Sequence, residues 1–334
     1  MSLSHRTISN LFGGVSQQPA GIRLDNQCEE LINAYPSISD GLVKRPPSEF
    51  IGLTGPSGAA VPPSGAGGSS GAIDPPAQFD SVYATVTSGG EDIYRRDAAG
   101  DFIATNQVLK QWWGVASAPN KDIYATRNTY GIYKRDAAGD FNLYQSFYFA
   151  GGIGAAPNGD MYAVDTQNGG YIWKQPSGDS AFVQISGTSG IWWSDIVGAP
   201  NGNIYVAAGP GGTAGGAGIY MQTAGAGAFN RLSGASADYW EGICAAPNGD
   251  IYACLSTSGG TGPAGIYKQT GGVGDFIRVA GAGLNWFGIA SSSYGDIFAS
   301  VFGGDVYWQR AGTTGFVALG QAHRAWRSLA CVQP

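Results

Sequence analysis

Residues 240–276 read WEGICAAPNGDIYACLSTSGGTGPAGIYKQTGGVGDF, and four short apolar runs stand out in them: GICAA, IYACL, GIYKQ and, from Phe276 onward, FIRVA. The runs are rich in β-branched, aromatic and small side chains and are too short for helices, so they predict strands. Between the first two lies Pro247-Asn248-Gly249-Asp250, an Asn-Gly turn that tolerates positive φ and closes a tight hairpin. The glycine-rich TGGVGD (270–275) closes a second one. Within IYACL both alternating sets are apolar, Ile251 and Ala253 on one face, Tyr252 and Cys254 on the other. A strand that is apolar on both faces must be covered on both sides. One such unit cannot cover itself and needs neighbours of its own kind.

The neighbours are in the chain. Asp122-Ile123-Tyr124, Asp160-Met161-Tyr162, Asn203-Ile204-Tyr205, Asp250-Ile251-Tyr252 and Asp296-Ile297-Phe298 repeat one pattern, and Ser81-Val82-Tyr83 opens the series. The apolar anchors are spaced 41, 38, 43, 47 and 46 residues apart. Trp112, Trp193, Trp240 and Trp286 each precede an anchor by 11 residues. A second hairpin follows each anchor and carries an aromatic pair: Tyr94/Phe102, Tyr133/Phe141, Trp173/Phe182, Tyr220/Phe229, Tyr267/Phe276 and Tyr307/Phe316. Four strands per unit at a period of roughly 40–50 residues is the signature of a propeller blade. The fold expected is all-β, a six-bladed β-propeller of four-stranded blades over residues 77–334. The first blade lacks a Trp-led strand, and Trp326–Pro334 matches the strand beginning at Trp240 or Trp286. The carboxyl-terminal strand is therefore expected to complete the first blade and hide two sheet edges. Trp112, Trp193, Trp240, Trp286 and Trp326 are expected to pack between blades, an exposed sugar-stacking surface being the alternative.

Composition narrows the function classes. Of 334 residues, 55 are glycine, without a collagen period, and only 13% are charged, well below the usual ~25%. A net charge of −6 argues against a surface that coats nucleic acid. There is no apolar run long enough for a transmembrane helix, and MSLSHRTISN is too polar for a signal peptide, so no membrane insertion is expected. Four cysteines without a C-x-x-C predict buried, reduced thiols. For Cys244 and Cys254, on adjacent strands, a disulfide is the alternative.

Residues 1–53 fall outside the repeat. GGVSQQP (13–19) is polar and non-helical, Asp25 to Tyr35 reads as a short helix ended before Pro36, and LVKRPP (42–47) is extended by its prolines. The segment is too poor in large apolar residues to fold a core alone, so it reads as an arm that lies either on its own propeller or on a partner. Residues 54–76, TGPSGAAVPPSGAGGSSGAIDPP, form a Gly/Pro/Ser/Ala linker that spans roughly 25–30 Å as a coil, enough to reach another subunit.

The arm carries a resemblance. Gly13, Gly14, Gln17, Gln18 and Pro19, then Arg23, Cys28-Glu29-Glu30 and Asn33, then Gly41, Lys44, Arg45 and Pro46 are similar to the amino terminus of tail tubular protein B, the nozzle protein family of short-tailed bacteriophages. This resemblance covers about the first sixth of the chain. It implies a virion protein made in the host bacterial cytoplasm and assembled as a homo-oligomer, a hexamer, below the portal and adaptor. Its implied partners are adaptor and portal-proximal tail proteins, with tail fibres as further candidates, and DNA passing transiently without sequence-specific binding. These arm residues are then assembly contacts.

Catalytic chemistry finds little support. The only histidines are His5 and His323, so no Ser/His/Asp set and no zinc-binding histidine pair can be assembled. The turns Asp97–Asp101 and Asp136–Asp140 lack the ligand number of a calcium loop and read as turn chemistry. No enzyme activity, metal or cofactor is expected. Two function classes remain: a structural tail protein in a ring around a DNA path, and an accessory virion propeller that binds host glycans or attaches fibres.

Overall fold

The computed structural model describes residues 81–333 apart from short loop segments at 89–91, 98, 108–110, 129, 147–150, 166–168, 178–180, 211–215, 236–237, 258–261 and 282. The chain divides into two units, Met1–Ser69 and Ser70–Pro334. The arm, the helix expected over 25–35 and the linker lie outside the described residues.

The described residues form six four-stranded antiparallel sheets. In chain order, β1 (Ser81–Val86), β2 (Ile93–Arg96) and β3 (Phe102–Ala104) start the first blade. Blade two is β4 (Trp112–Ser117), β5 (Ile123–Arg127), β6 (Gly131–Arg135) and β7 (Phe141–Gln145). Blade three is β8 (Ile153–Ala155), β9 (Met161–Val164), β10 (Ile172–Gln175) and β11 (Val183–Gln184). Blade four is β12 (Trp192–Gly198), β13 (Ile204–Gly209), β14 (Gly218–Gln222) and β15 (Asn230–Arg231). Blade five is β16 (Trp240–Ala245), β17 (Ile251–Leu255), β18 (Gly265–Gln269) and β19 (Ile277–Ala280). Blade six is β20 (Trp286–Ser291), β21 (Ile297–Gly304), β22 (Val306–Gln309) and β23 (Val317–Ala318). The last strand, β24 (Arg324–Val332), returns to blade one and pairs with β1 through Ser81↔Val332, Tyr83↔Ala330, Ala84↔Leu329 and Val86↔Trp326. The strand expected to complete the first blade does so. It also pairs Ala325 with Phe302 and Arg324 with Gly304 of β21, joining the last blade to the first.

The hairpin turns have a common chemistry. Ala246 N–H donates to Asp250 O at 2.8 Å and Gly249 N–H to Ala246 O at 2.9 Å, with Gly249 at φ 88°. The glycine alone takes the left-handed conformation, as its missing Cβ allows. In the corresponding turn of blade two, Lys121 holds that place at φ 70°.

The double-sided burial read from IYACL has its cause in the neighbours. Ile251 and Ala253 pack with Tyr205 and Ala207 of blade four, while Tyr252 and Cys254 pack with Trp286 and Ile289 of blade six. Six such clusters, one at each blade junction, close the ring. Each fully buried aliphatic or aromatic side chain there contributes about 1.5–3 kcal/mol.

The five tryptophans sit at these junctions with at most 1% of their surface exposed. Each meets the tyrosine and phenylalanine of its own second hairpin: Trp240 lies edge-on to Tyr267 at 5.1 Å and tilted to Phe276 at 5.8 Å. Trp112, Trp193, Trp286 and Trp326 repeat the arrangement. Buried in this way they offer no stacking surface to sugars. Blade three has no such tryptophan, and Tyr144 reaches across from blade two to meet Phe182. Cys244 and Cys254 are buried free thiols, pushed above their ordinary pKa by burial, so the disulfide is not formed.

Outside the junctions, polar side chains serve the turns and strand ends. Lys268 pairs with Asp250 at 2.6 Å and lies over the Tyr252 ring, and Lys174/Asp160/Tyr162 and Lys134/Asp122/Tyr124 repeat this clamp. Burial pushes the Asp250 carboxyl up, but hydrogen bonds from Lys268, the Gly271 N–H and Asn248 outweigh it and leave it below its ordinary range. Asp136 accepts from the N–H groups of Gly139 and Asp140 and from Asn142, which is the turn chemistry expected of DAAGD.

Candidate functional site: the propeller axis

The innermost strands β4, β8, β12, β16, β20 and β24 pack side by side around one axis. At their carboxyl ends the axis opens into a cavity of about 520 Å³. Its wall is small and uncharged: Ser117, Ala155, Ala245, Ser291 and Cys331, with turn prolines such as Pro157 and Pro247. At their amino ends it narrows to a neck enclosing about 20 Å³. That is room for about one water molecule.

The neck follows from two sequence positions. Two residues after each strand-leading tryptophan stand Gly114, Asp195, Gly242, Gly288 and Ser328, with Gly152 in the equivalent place of blade three. A Cβ on Gly242 would strike the Phe287 carbonyl, and one on Gly152 would strike Asp195. Glycine there lets neighbouring blades touch backbone to backbone. One residue earlier stand Trp113, Ser194, Glu241, Phe287 and Arg327, which line the neck together with Gly151.

Three of the neck residues are charged, and each comes from a different blade. Arg327 lies with its guanidinium carbon 3.6 Å from the centre of the Trp113 ring and 5.0 Å from that of Phe287. Its Nη2 is 4.0 Å from Glu241 Oε2. Asp195 accepts from the Ile196 N–H at 3.0 Å and, across the junction to blade five, from the Ile243 N–H at 3.1 Å. Burial pushes the Asp195 carboxyl up to about 7 against those two N–H groups, and it pushes Glu241 up to about 7 against the pull of Arg327. Burial also lowers the Arg327 guanidinium from its ordinary value, though an arginine stays charged there. Two carboxylates and one guanidinium thus stand in a neck with room for about one water, Glu241 being the one within 4.0 Å of Arg327. Such an arrangement can hold a proton near neutral pH and blocks the bore.

The sequence reading did not single out Asp195, Glu241 or Arg327. A signal was present: the residues after each tryptophan are WWGV, WWSDIV, WEGIC, WFGIA and WRSLA, and a charge among the otherwise apolar and small residues that follow the tryptophan marks each of the three. His323 is exposed and stands apart from the axis. The arm residues Gly13, Gly14, Gln17, Gln18, Pro19, Arg23, Asn33, Gly41, Lys44, Arg45 and Pro46 lie outside the described residues. Among the described residues no group of His, Cys, Asp and Glu could hold a metal ion, and no helix is long and apolar enough to cross a membrane.

Known proteins match the two parts of the chain separately. Residues 1–61 match the bacteriophage nozzle protein family. A 59-residue stretch is 42% identical to tail tubular protein gp12 of Escherichia phage T7, covering 18% of this chain and 7% of that protein. The fold is shared with TolB from Acinetobacter baumannii at a TM-score of 0.58 and 15% identity, over 77% of this chain and 68% of that one. A streptogramin B lyase follows at 0.53 and 15%, over 75% and 87%, and a gluconolactonase from Xanthomonas campestris at 0.52 and 13%, over 74% and 88%. At such identities these likenesses speak for the propeller fold alone.

Proposed function

We propose that this chain is a structural component of a phage tail, in which the nozzle-like segment is the anchor and the propeller is the body it carries. The match of residues 1–61 to the nozzle family is the observation that carries this reading. We infer further that several copies, six by analogy with the resembling family, stand in a ring below the portal and adaptor and surround the path of the ejected DNA. In that ring the DNA passes beside each propeller and not through it, because a neck with room for one water admits no nucleic-acid strand. The body is non-catalytic in this reading, and its work is to fill and stiffen the ring.

In this reading the arm, poor in core-forming residues, makes the inter-subunit or adaptor contacts. Arg23, Lys44 and Arg45 are its strongest charged donors, and arginine pairs bidentately with carboxylates. The test is to delete residues 2–53 and quantify the protein in purified particles by mass spectrometry. The reading expects a folded, soluble propeller absent from particles. Particles carrying the truncated protein at full occupancy would overturn it.

A further inference from the structure

Ring closure and the axial charges meet on one strand. β24 closes the propeller, and it also supplies Arg327 to the neck. The residue after it ties three strands together: Ser328 N–H donates to Thr85 Oγ1 of β1 at 3.0 Å, and Val115 N–H of β4 donates to Ser328 Oγ at 3.3 Å. Any change in how firmly Arg327 is held therefore acts directly on the closing strand.

We propose that Asp195, Glu241 and Arg327 form a proton-operated latch on ring closure: one proton, carried by either carboxylate, balances the neck, and its loss to solvent leaves an excess negative charge that loosens β24. The step is a proton exchange between water and a carboxylate oxygen, with no other bond made or broken. In the protonated state one carboxylate faces one guanidinium and the neck is neutral. In the deprotonated state two carboxylates stand with one guanidinium in a space that holds about one water, and the Ile196 and Ile243 N–H groups on Asp195 offset the second charge only in part.

The groups around the neck support this count. β12 contributes Asp195, β16 contributes Glu241 and Cys244, the residue before β16 is Tyr239, β17 contributes Cys254, and β24 contributes Arg327. The tyrosine and both thiols are pushed up by burial and remain neutral across the physiological range. β4 and β20 present the uncharged rings of Trp113 and Phe287, and the blade-three side presents Gly151 and Gly152. Arg327 is thus the cation available to the two acids at the neck.

The sign of the effect follows from the direction of the shifts. Both acids are raised in the folded protein, so the folded state binds more protons than the unfolded chain between about pH 4 and 7. The stability they contribute is present at acid pH and is lost as pH rises toward 7. Asp160 and Asp250 are lowered, and they act in a separate window below about pH 4.

The experiment uses the full chain. Thermal unfolding is followed from pH 5 to 8 for the parent, Glu241→Gln and Asp195→Asn, with His5 and His323 kept in all three so that their titration cancels. The parent melting temperature is expected to fall by about 3–5 °C over this range, a shift appropriate to a domain of this size. Each variant should lose at least half of that slope. Hydrogen exchange, corrected for its intrinsic pH dependence, should show Ser328, Leu329 and Ala330 of β24 opening several-fold more often at pH 8, with β17 and β18 unchanged. If either variant fails to fold, ¹³C-carboxyl titration of the parent decides, with one midpoint near 7 expected for the pair. Slopes unchanged in both variants, carboxyl midpoints near 4, or exchange that rises equally in all blades would each overturn the proposal.

Discussion

Trp326→Ala is the sharpest test of how the propeller holds itself closed. Trp326 leads into the paired part of β24 and retains 1% of its surface. Its ring meets Tyr94 edge-on at 5.2 Å and Phe102 at 5.4 Å, and its Nε1 donates to the Ala322 carbonyl at 3.2 Å. Its neighbours come from both sides of the seam: Val82, Ala84 and Leu329 in blade one, Phe298, Val306 and Trp308 in blade six. Truncating a buried tryptophan costs about 3–5 kcal/mol in lost transfer energy and residual cavity. The two ring pairs add about 0.5–1.5 kcal/mol each beyond area, part of which the first figure already contains. We therefore expect a loss of about 4–6 kcal/mol, a third or more of an ordinary domain's stability. At about 2–4 °C per kcal/mol this lowers Tm by on the order of 10–20 °C. The control is Trp192→Ala, next to a buried tryptophan but itself 44% exposed, which should cost under about 1 kcal/mol. Urea unfolding by fluorescence gives both numbers. Equal losses for Trp326→Ala and Trp192→Ala would refute the claim that the β24 junction carries ring stability.

Lys121→Gly relieves a non-glycine residue at φ 70°, and urea unfolding should show a gain of about 0.5–1 kcal/mol, the size of left-handed strain less glycine's entropy cost. Asp250→Ala removes the acceptor of Lys268, Asn248 and the Gly271 N–H, at about 1–3 kcal/mol at pH 7. Because that carboxyl is held low in the folded protein, its stability is lost as pH falls, so the difference from the parent should shrink below about pH 4 in thermal melts. Gly154→Ala places a Cβ against the Ile196 carbonyl at the junction of blades three and four, and should cost about 1–3 kcal/mol by denaturant titration.

The blade architecture was legible because each blade repeats its own instructions. The Asp–Ile–Tyr starts, the tryptophan 11 residues before them and the aromatic pair after them are local, and the tryptophan, the apolar anchor and the aromatic pair form one packed cluster while the anchor's aromatic neighbour packs into the next junction. The closing strand was legible because Trp326–Val332 repeats the inner-strand pattern where blade one lacks it. The axial cluster was not legible in the same way. Asp195, Glu241 and Arg327 lie in three different repeats, far apart in the chain, and only ring closure brings them to one neck. The chemistry of a channel is a property of the column formed by equivalent positions, whereas a motif is read along the chain. Asn248-Gly249 reads as a turn that tolerates positive φ, and the hairpin uses that tolerance at the glycine.

The central claim is that residues 1–76 place the protein in a tail and residues 77–334 are the body they carry. The most direct measurement fuses residues 1–76 to an unrelated fluorescent domain, expresses the fusion during infection, and counts fluorophores per purified particle beside a matching fusion of residues 77–334. The account predicts that the arm fusion enters particles at the occupancy of the whole protein while the propeller fusion stays in the lysate. Propeller fusion in the particles and arm fusion in the lysate would contradict it.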